Sequence, residues 1–396
     1  MQTKEVVIVS GARTAIGNFM GALEQFSPVD LGIFALNGAL EKAGIKGEMV
    51  ESIVCGHVGQ ASCPGNSARL IGLGCGMPFD SAAVTVHQQC PSSLRAAEIC
   101  AQEIMLGKVE IGAVVGVESQ TNTPYILQRA RKGYRLGDGE VIQDGLMLGG
   151  LICPFNGYHM GVTAENIAEM YGITREEQDE LAVMSNKRAC KAIKEGLFKD
   201  EIVPIEIKSK KGTIIFDTDE HPREDASMEL FSKLPPVFKK GGTVTAANAS
   251  SLNDAASALI MMSAEKAKEL GIKPLARVVS SATGGVDPKI MGMGVVPAVR
   301  RALKFAGLEQ KDIDYWEINE AFAAQFLGVN RELKLSLDIV NAVGSGISLG
   351  HPVGATGARL LVTGINELKR RGGRYLCASL CASGGPGVAM IVENIK

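Results

Sequence analysis

The stretch IGAVVGVES (111–119) is the clearest fold signal in the sequence, an apolar and mostly β-branched run without polar alternation. Similar runs precede it along the chain: VVIVS (6–10), SIVCGHV (52–58) and AAVTVH (82–87). Patterns typical of helices separate these runs, over 29–44 and roughly 91–106. Strands without alternation are expected in a sheet that helices cover on both faces. The order of strands and helices therefore predicts an α/β fold.

The same alternation returns in the last third of the chain. The predicted strands there are LARVVSSAT (275–283), IDYWEIN (313–319), DIVNAVG (338–344), YLCASLCASG (375–384) and VAMIVEN (388–394). In each flank an apolar strand leads to a polar or reactive residue and then to a helix, as VTVHQQC-PSSLRAA in the first and DYWEINEAFAAQFLGV in the second. This weak similarity suggests an internal duplication.

The middle of the chain, from about 120 to 248, has a different character and is interpreted as an insertion. RARKGYR (129–135) predicts a solvated basic surface, and 174–201 predicts a charged surface helix that begins with a capping box of Thr174 and Glu177. The polar segment 217–243 is irregular and could host a ligand. After it, the pattern over 241–271 predicts an apolar helix.

Composition and charge exclude several classes of protein. The 396 residues include 41 Lys and Arg against 43 Asp and Glu, so a strongly basic nucleic-acid binder is not expected. The 47 glycines show no collagen-like period. No uncharged apolar stretch reaches the ~18 residues of a transmembrane helix. We therefore expect neither a nucleic-acid partner nor a membrane.

The nine cysteines and the amino terminus indicate a reducing compartment. The cysteines are scattered and include no C-x-x-C pair, which argues against a disulfide framework or a zinc site. The first residues lack the features of a signal peptide or a transit sequence. A cytoplasmic location is the resulting prediction.

Cys90 is the first candidate for chemistry. It lies between a predicted strand and a helix that Pro91 can begin, since proline is favoured in the first helical turn. Unpaired backbone N–H groups at such a position favour the thiolate, the nucleophilic form. A buried structural cysteine is the alternative. Ser92 and Ser93 are interpreted as polar residues of the helix start rather than as nucleophiles.

The segment GSGISLGHPVGATGARLL (344–361) places five glycines around His351. Glycine-rich backbone can approach a ligand closely and can hold a side chain on a fixed, irregular loop. This favours a catalytic role for His351, although a lone histidine is usually structural. A phosphate-binding loop is disfavoured, because the segment has neither a GK[ST] ending nor a G-x-G-x-x-G fingerprint after a strand.

Two further segments could contribute to a site. In LCASLCASGGPGVAMIVE (376–393) a strand leads to Cys381, and backbone N–H groups in the tight SGGPG turn could form an oxyanion hole. The alternative is a hairpin with a buried cysteine. In EINEAFAAQ (317–325), Asn319 and Glu320 follow an apolar strand, where an N-cap is a common role for asparagine.

Together these segments resemble the thiolase family, and within it the acetyl-CoA acetyltransferases of the cytosolic type. The resemblance covers essentially the whole chain, from VIVSGARTAIG near the start to CASGGPGVAMIVE near the end. The motifs between them are YHMGVTAENIAE (158–169), DEHPR (219–223), GGTVTAANAS (241–250), NEAFAAQ (319–325) and GHPVGATGAR (350–359). Several separate motifs in the family's order make a chance match negligible.

The resemblance implies a fold and a domain organisation. Thiolase-like α/β chains have duplicated βαβ halves that form a five-layered α-β-α-β-α core, with an inserted loop domain. Residues 1–120 plus 249–272 would form the N-terminal half, and 273–396 the C-terminal half. Residues 121–248 would form the loop domain, used for CoA binding and oligomerisation. A homo-oligomer, either a tetramer or a dimer, is also implied.

The resemblance also implies an activity. Thiolases are acyltransferases of fatty acid metabolism that join two acetyl-CoA into acetoacetyl-CoA and CoA, or split longer 3-ketoacyl-CoA thioesters, through an acyl-cysteine intermediate. Cys90 would be the nucleophile, His351 would take its proton, and Cys381 would be the base of the second stage. Asn319 would position a water that, with His351, stabilises the enolate oxygen. The backbone N–H groups of Cys90 and Ser383 would form the other oxyanion hole.

Coenzyme A or acyl-CoA is implied as the substrate, with no tightly bound cofactor and no metal. Four residues match the CoA-contacting segments of the family: His159, Arg223, Ser227 and Ser250. Met160 and Met293 match residues that line the acyl pocket, although methionine in such a place is more often simple packing.

The sequence departs from the family pattern close to the predicted site. Around the nucleophile the family has N-x-x-C-x-S-G, and this chain carries His87, Pro91 and Ser93 there. After the second cysteine the family has C-x-G-G-G, and this chain carries Ser383. The family also has a glycine-richer form of AANASSLNDA, in which this chain carries Ala247, Ser251 and Ala255. These changes leave acetyl-only specificity open and allow a longer or unusual acyl group. The N–H donor at Ser383 survives only if its backbone suits a residue other than glycine.

Three alternatives stay open. One is a related condensing enzyme, against which Cys381 argues because those enzymes generally have a histidine there. Another is a non-catalytic relative that binds CoA or serves assembly. The third is redox control through a reversible disulfide between Cys90 and Cys381, which must approach one substrate from two sides.

Overall fold

Strands and helices alternate along the computed structural model, which describes residues 3–137, 141–209 and 212–395. The strands are β1 (Val6–Thr14), β2 (Gly17–Asn18), β3 (Ser52–His57), β4 (Ala82–Val86), β5 (Ile111–Ser119), β6 (Tyr125–Ile126), β7 (Gln143–Asp144), β8 (Ile202–Val203), β9 (Ile205–Ser209), β10 (Gly212–Phe216), β11 (Asn253–Ser263), β12 (Ala276–Gly285), β13 (Tyr315–Ile318), β14 (Tyr375–Cys381) and β15 (Pro386–Asn394). The α-helices are α1 (Pro28–Ala43), α2 (Ser67–Gly74), α3 (Ser92–Met105), α4 (Met160–Tyr171), α5 (Arg175–Lys194), α6 (Met228–Phe231), α7 (Ala264–Glu269), α8 (Val295–Ala306), α9 (Ala323–Leu333), α10 (Gly346–Leu349) and α11 (Val353–Arg370).

The largest sheet consists of two halves with the same strand order. The N-terminal half runs β3-β5-β11-β1, with β4 outside β3, and the C-terminal half runs β13-β14-β15-β12. In each half the first two strands of that order are parallel, and the third is antiparallel to both its neighbours. The halves meet where β1 pairs with β12. The predicted duplication is therefore present in the topology.

Helices form three layers around these two halves. The helices α1 and α2 cover one face of the N-terminal half, and α8 covers the outer face of the C-terminal half. Between the halves, α3 and α11 contact each other and the strands of both. The buried side chains of this central layer form a hydrophobic cluster of their own. The arrangement is the predicted five-layered α-β-α-β-α core.

The prediction of an apolar helix over 241–271 is wrong. The central strand β11 occupies Asn253–Ser263, all of its residues are buried, and only Ala264–Glu269 is helical. An apolar run rich in alanine has no periodicity that separates a buried strand from a buried helix. Pairing with β1 on one side and β5 on the other decides for the strand.

The predicted strand over 338–344 is also absent. Leu337–Ile339 forms a 3₁₀ turn, and only Val340 makes a bridge, to Trp316. Asn341 has a φ of 49°, which ends an extended run, and its side chain both accepts from Ile318 N at 2.9 Å and donates to Ile318 O at 2.7 Å. An asparagine side chain thus replaces a neighbouring strand.

The middle of the chain agrees with its predictions in part. The capping box of Thr174 and Glu177 begins α5 as expected. The helix is not a simple surface helix, however, because it buries one face, including Leu181 and Ala189. Residues 129–135 are exposed, and 217–243 is irregular apart from α6. None of the described helices is both long and apolar enough to cross a membrane.

Candidate active site

A cavity of about 460 Å³ brings together three residues that the sequence singled out, namely Cys90, His351 and Ser383. Four more predicted residues line it: His159, Met160, Arg223 and Ser250. Much of the remaining wall is apolar, with side chains that include Leu146, Leu151, Phe238, Met291 and Phe322. The cavity therefore has reactive groups together with walls suited to an apolar substrate.

A strained turn presents Cys90 between β4 and α3. Gln89, the residue before it, has a φ of 56°, a left-handed conformation that is uncommon outside glycine. Ser92 holds the turn, since its Oγ donates to Gln89 O at 2.6 Å and accepts from Gln88 N at 2.9 Å. Ser92 is thus a structural residue, as expected, and Cys90 lies directly before the helix.

Two opposing effects act on the Cys90 thiol. Burial is the larger and raises its pKa to about 12, while hydrogen bonds from the backbone N–H groups of Cys90 and Ser383 lower it. The backbone donors thus favour the thiolate, as expected, but burial opposes it more strongly. The resting sulfur is a protonated thiol and needs a base.

His351 supplies a neutral imidazole in a defined tautomer. Gly350 before it has a φ of 100°, and His351 N donates to Asn253 Oδ1 at 2.9 Å. The imidazole Nδ1 lies 2.7 Å from Thr356 Oγ1, and that hydroxyl donates its proton to Pro352 O at 2.9 Å. Because the hydroxyl proton is already used, Nδ1 must be the donor and Nε2 carries the lone pair.

The surroundings of His351 keep it unprotonated. Burial, followed by the positive charge of Arg359, lowers its pKa to about 3. Asn319 Nδ2 lies 3.4 Å from the Nε2 atom, and Asn319 N donates to Ser379 O at 3.0 Å. The imidazole is therefore available as a proton acceptor beside the carboxamide of Asn319.

Cys381 ends β14 and is fully buried, so it does not form part of the cavity surface. Burial and the neighbouring charge of Cys90 both raise its pKa. In the turn that follows, the left-handed conformations fall on Gly384 (φ 88°) and Gly385 (φ 103°) rather than on Ser383. The backbone at Ser383 therefore suits a residue other than glycine, and its N–H remains a donor.

Two predicted residues lie outside the cavity. Ser227 caps α6, where its Oγ accepts from Leu230 N at 3.4 Å. Met293 packs against α9, since a Cβ at Gly328 would lie 3.1 Å from its sulfur, and Met291 lines the cavity instead. Neither residue lines the cavity, so the contact of Ser227 with CoA and that of Met293 with the acyl group stay predictions that the cavity lining does not support.

The departures from the family pattern have separate structural roles. Ser93 is buried, and its Oγ accepts from Ala358 N at 2.9 Å, which joins α3 to α11. Ser251 lines the cavity, and its Oγ donates to Asn253 Oδ1 at 2.7 Å. Asn253 is the residue that holds His351 N. Ser93 is thus a packing residue, whereas Ser251 supports the base.

Glu118, which none of the sequence motifs above includes as a site residue, also lines the cavity. It is 1% exposed and lies at the end of β5. A charged residue that closes an otherwise apolar strand was the available signal. All nine cysteines are free. Within the described residues, no group of three or more histidine, cysteine or acidic side chains could hold a metal ion.

Comparison with known proteins matches this geometry to one family. The model of the thiolase N-terminal domain matches residues 6–265, and that of the thiolase C-terminal domain matches residues 272–394. The chain belongs to the thiolase family. Its relatives include acetyl-CoA acetyltransferase of Syntrophomonas wolfei subsp. wolfei, at 50% identity over 99% of this chain and 100% of the relative. Beta-ketothiolase BktB of Cupriavidus necator is 48% identical over 99% of this chain and 100% of the relative.

Solved thiolase structures share the whole fold. The acetyl-CoA acetyltransferase of Syntrophomonas wolfei has a TM-score of 0.97 over 99% of this chain and 100% of its own. Human mitochondrial 3-ketoacyl-CoA thiolase also has a TM-score of 0.97, at 40% identity over 100% of both chains. A structure of that human thiolase in complex with CoA has a TM-score of 0.95, at 40% identity over 99% of this chain and 98% of its own. The predicted family and fold class are confirmed.

Proposed function

We propose that this thiolase-family acyltransferase catalyses the reversible thiolysis of 3-ketoacyl-CoA through an acyl group on Cys90. One observation carries the proposal: a protonated thiol, a neutral imidazole and the Ser383 backbone N–H share one largely apolar cavity. Neither Ser93 nor Ser383 obstructs this arrangement, so a catalytically altered relative is not favoured.

The first stage forms the acyl-enzyme. His351 Nε2 accepts the Cys90 proton as the sulfur attacks the 3-keto carbon, and the bond between C2 and C3 then breaks to release the enolate of acetyl-CoA. The Cys90 and Ser383 N–H groups stabilise the oxyanion on C3; one such donor is worth about 3–4 kcal/mol. Cys381 gives its proton to the enolate carbon and becomes a thiolate. Free CoA then attacks the acyl group as its thiol proton passes to Cys381, and the Cys90 sulfur leaves with the proton that His351 took from it.

The condensation direction reverses these roles. Cys381 removes a proton from the methyl group of acetyl-CoA, and the resulting carbanion attacks the acyl group on Cys90. The enolate oxygen accepts from His351 Nε2, which carries the proton taken from Cys90 at this stage, and from a water that Asn319 holds. Asn319 Oδ1 is buried and has no hydrogen-bond partner among the described residues, which leaves it available to a water molecule.

CoA thioesters would bind as dissociable substrates, without a tightly held cofactor. Arg223 and Ser250 line the cavity at segments that the family uses for CoA. His159 stacks on Phe238 with ring centroids 4.5 Å apart and so presents a flat apolar wall. We assign acyl groups longer than acetyl to the part of the cavity formed by Leu146, Gly149 and Leu151.

Assembly into a homo-oligomer, a dimer or a tetramer, follows from the sheet edge and the loop domain (121–248). The strand β4 pairs only with β3 among the described strands, and Val84 on it is 42% exposed. Unpaired edges favour association with another strand, here that of a second copy. Leu136 and Val141 of the loop domain are also exposed and would extend the contact. The cytoplasm and fatty acid metabolism are the proposed setting.

Thiolysis by purified protein tests the function. Acetoacetyl-CoA and a series of longer 3-ketoacyl-CoA substrates are mixed with CoA, and loss of the 3-ketoacyl chromophore is followed. The wild type should turn over at least one member, and Cys90→Ala should retain almost no activity. Full activity in Cys90→Ala, or no turnover across the series, would refute the assignment and favour a non-catalytic CoA-binding relative.

A further inference from the structure

Glu118 occupies a position that the proposed mechanism does not use. Its carboxyl group is buried, yet it lines the cavity that holds Cys90. Oε1 accepts from Gly59 N at 2.8 Å, and Oε2 accepts from Val58 N at 3.3 Å and from Gly354 N at 2.9 Å. One side chain therefore joins the backbone that follows β3 to the first turn of α11.

The hydrogen bond between Glu118 and α11 lies close in the chain to His351, the proposed base. Gly354 is the second residue of that helix and lies three residues after His351. A Cβ at Gly354 would lie 2.8 Å from Glu118 Oε2, and one at Gly59 would lie 2.8 Å from Oε1. Backbone and carboxyl approach so closely that neither glycine position has room for a side chain. A displacement of Glu118 would therefore move the start of the helix that follows His351.

A buried histidine, His57, faces this carboxyl group with an unprotonated ring nitrogen. Thr85 Oγ1 donates to Asn66 Oδ1 at 2.7 Å, so it accepts from Ser67 Oγ, and Ser67 in turn accepts from His57 Nδ1 at 3.2 Å. The Nε2 atom of His57 then carries a lone pair. It faces Glu118 Oε1 at 3.8 Å and has no hydrogen-bond partner among the described residues. At 3.8 Å the two atoms are too far apart for a hydrogen bond, so His57 gives no stabilisation to an ionised Glu118, and its lone pair favours the neutral carboxyl group.

The surroundings also favour a proton on Glu118. Burial and then the negative charge of Asp254 on β11 raise the pKa of Glu118 to about 7, against the lowering effect of its three N–H donors. Burial and then His87 lower the pKa of His57 to about 4. Ionised Glu118 also raises the pKa of Cys90 and, on β3, of Cys55. The protonated carboxyl group is therefore the form that does not oppose a thiolate.

We propose that Glu118 is a positioning residue for the reaction: it fixes the helix start behind His351, and in its neutral form, opposite the lone pair of His57, it adds no negative charge to the cavity that holds the Cys90 sulfur. The inference rests on the proposed function for its purpose, but the charge effect does not depend on turnover. Glu118→Gln keeps the shape and is permanently neutral. Glu118→Asp keeps the charge but is one methylene too short to reach Gly354.

Alkylation of Cys90 by iodoacetamide, followed by mass spectrometry of its peptide from pH 6 to pH 9, tests the charge effect without substrate. In the wild type the logarithm of the rate should rise with less than unit slope just above pH 7, where Glu118 ionises and opposes thiolate formation, and with unit slope again once Glu118 is fully ionised. Glu118→Gln should rise with unit slope throughout and label about tenfold faster than the wild type at pH 9, the equivalent of one pKa unit. His57→Gln places an N–H donor opposite the carboxyl group, so the change of slope in the pH profile should move to lower pH.

Steady-state thiolysis tests the positioning effect. Glu118→Asp should lower kcat about ten- to a hundredfold with little change in KM, as expected when a reacting group is misplaced. Glu98→Gln is the matched control, because this buried carboxylate on α3 pairs with Arg95 and does not line the cavity. It should behave as the wild type in both assays.

The outcomes separate this inference from the proposed function. The role of Glu118 would be overturned if the change of slope in the pH profile of Cys90 alkylation were the same as in the wild type in both Glu118→Gln and His57→Gln. Wild-type kcat in folded Glu118→Asp would also overturn it. Either result would leave thiolysis in place. If Glu118→Gln does not fold, His57→Gln alone decides the charge effect. Absence of thiolysis in the wild type would instead overturn the proposed function, and the alkylation profile would still report on the carboxyl group.

Discussion

Replacement of Thr356 by valine tests how the base is prepared. Thr356 Oγ1 lies 2.7 Å from His351 Nδ1 and is the contact that fixes which ring nitrogen carries the proton. Valine has nearly the same shape and removes only the hydroxyl. The carbonyl of Pro352, which also accepts from that hydroxyl, keeps its bond from Thr356 N at 3.0 Å. The imidazole of His351 is therefore the group that loses a hydrogen-bond partner.

The magnitude follows from the burial of that bond. A buried donor left without its partner costs about 1–3 kcal/mol. In Thr356→Val the ring can relieve this cost by moving its proton to Nε2, the nitrogen that must accept from Cys90. Each 1.36 kcal/mol is a factor of ten in rate. We therefore expect kcat/KM for thiolysis to fall roughly 5- to 150-fold.

The assay compares Thr356→Val with Thr356→Ser, which keeps the hydroxyl. Urea unfolding should show a loss of about 1–3 kcal/mol for the valine variant. The serine variant should retain wild-type kcat/KM within about threefold, an allowance of under 1 kcal/mol. Wild-type kcat/KM in Thr356→Val, or equal losses in both variants, would refute the tautomer argument.

Two further predictions concern the cavity and the core. Gly149 lines the cavity, lacks a left-handed φ, and a Cβ there would meet nothing within 4 Å, so Gly149→Leu should fill the acyl end. The ratio of kcat/KM for a long 3-ketoacyl-CoA to that for acetoacetyl-CoA should then fall about tenfold, and an unchanged ratio would place the acyl group elsewhere. Arg13 is fully buried between Glu201 and Asp219, so Arg13→Ala should lower the free energy of unfolding by about 3–5 kcal/mol in urea. The partly exposed Arg277 is the control, with an expected loss of about 0–1 kcal/mol on change to alanine; similar losses in both would contradict the argument.

Local signals made much of the site predictable. Cys90 and His351 each directly precede a helix and lie beside glycine, proline or serine, so their unusual backbone is visible in the neighbouring residues. The hairpin at Cys381 likewise follows from its own turn. These features depend on a few consecutive residues, which is the scale at which sequence patterns are informative.

Non-local contacts account for what could not be predicted. The strand β11 is fixed by β1 and β5, which lie far away in the chain, and its own composition suits a helix equally well. Asn341 ends a predicted strand because its side chain finds the backbone of Ile318. The proton arrangement at His57 likewise depends on two hydroxyl groups, those of Ser67 on α2 and Thr85 on β4, and on the side-chain oxygen of Asn66. None of these partners is visible from the segment itself.

The hydrogen bond between α3 and α11 links the two helices that follow Cys90 and His351. The thiol and the imidazole precede two helices in direct contact. The first turn of α3 meets the second turn of α11, where Ser93 Oγ accepts from Ala358 N and a Cβ at Gly357 would lie 2.4 Å from Leu94 N. The opposite wall of the cavity belongs to irregular chain that includes Arg223 and Phe238. Under the proposed function, the residues that would contact CoA and the residues that would make and break bonds therefore belong to different parts of the molecule: an irregular segment and a pair of helices joined by direct contact.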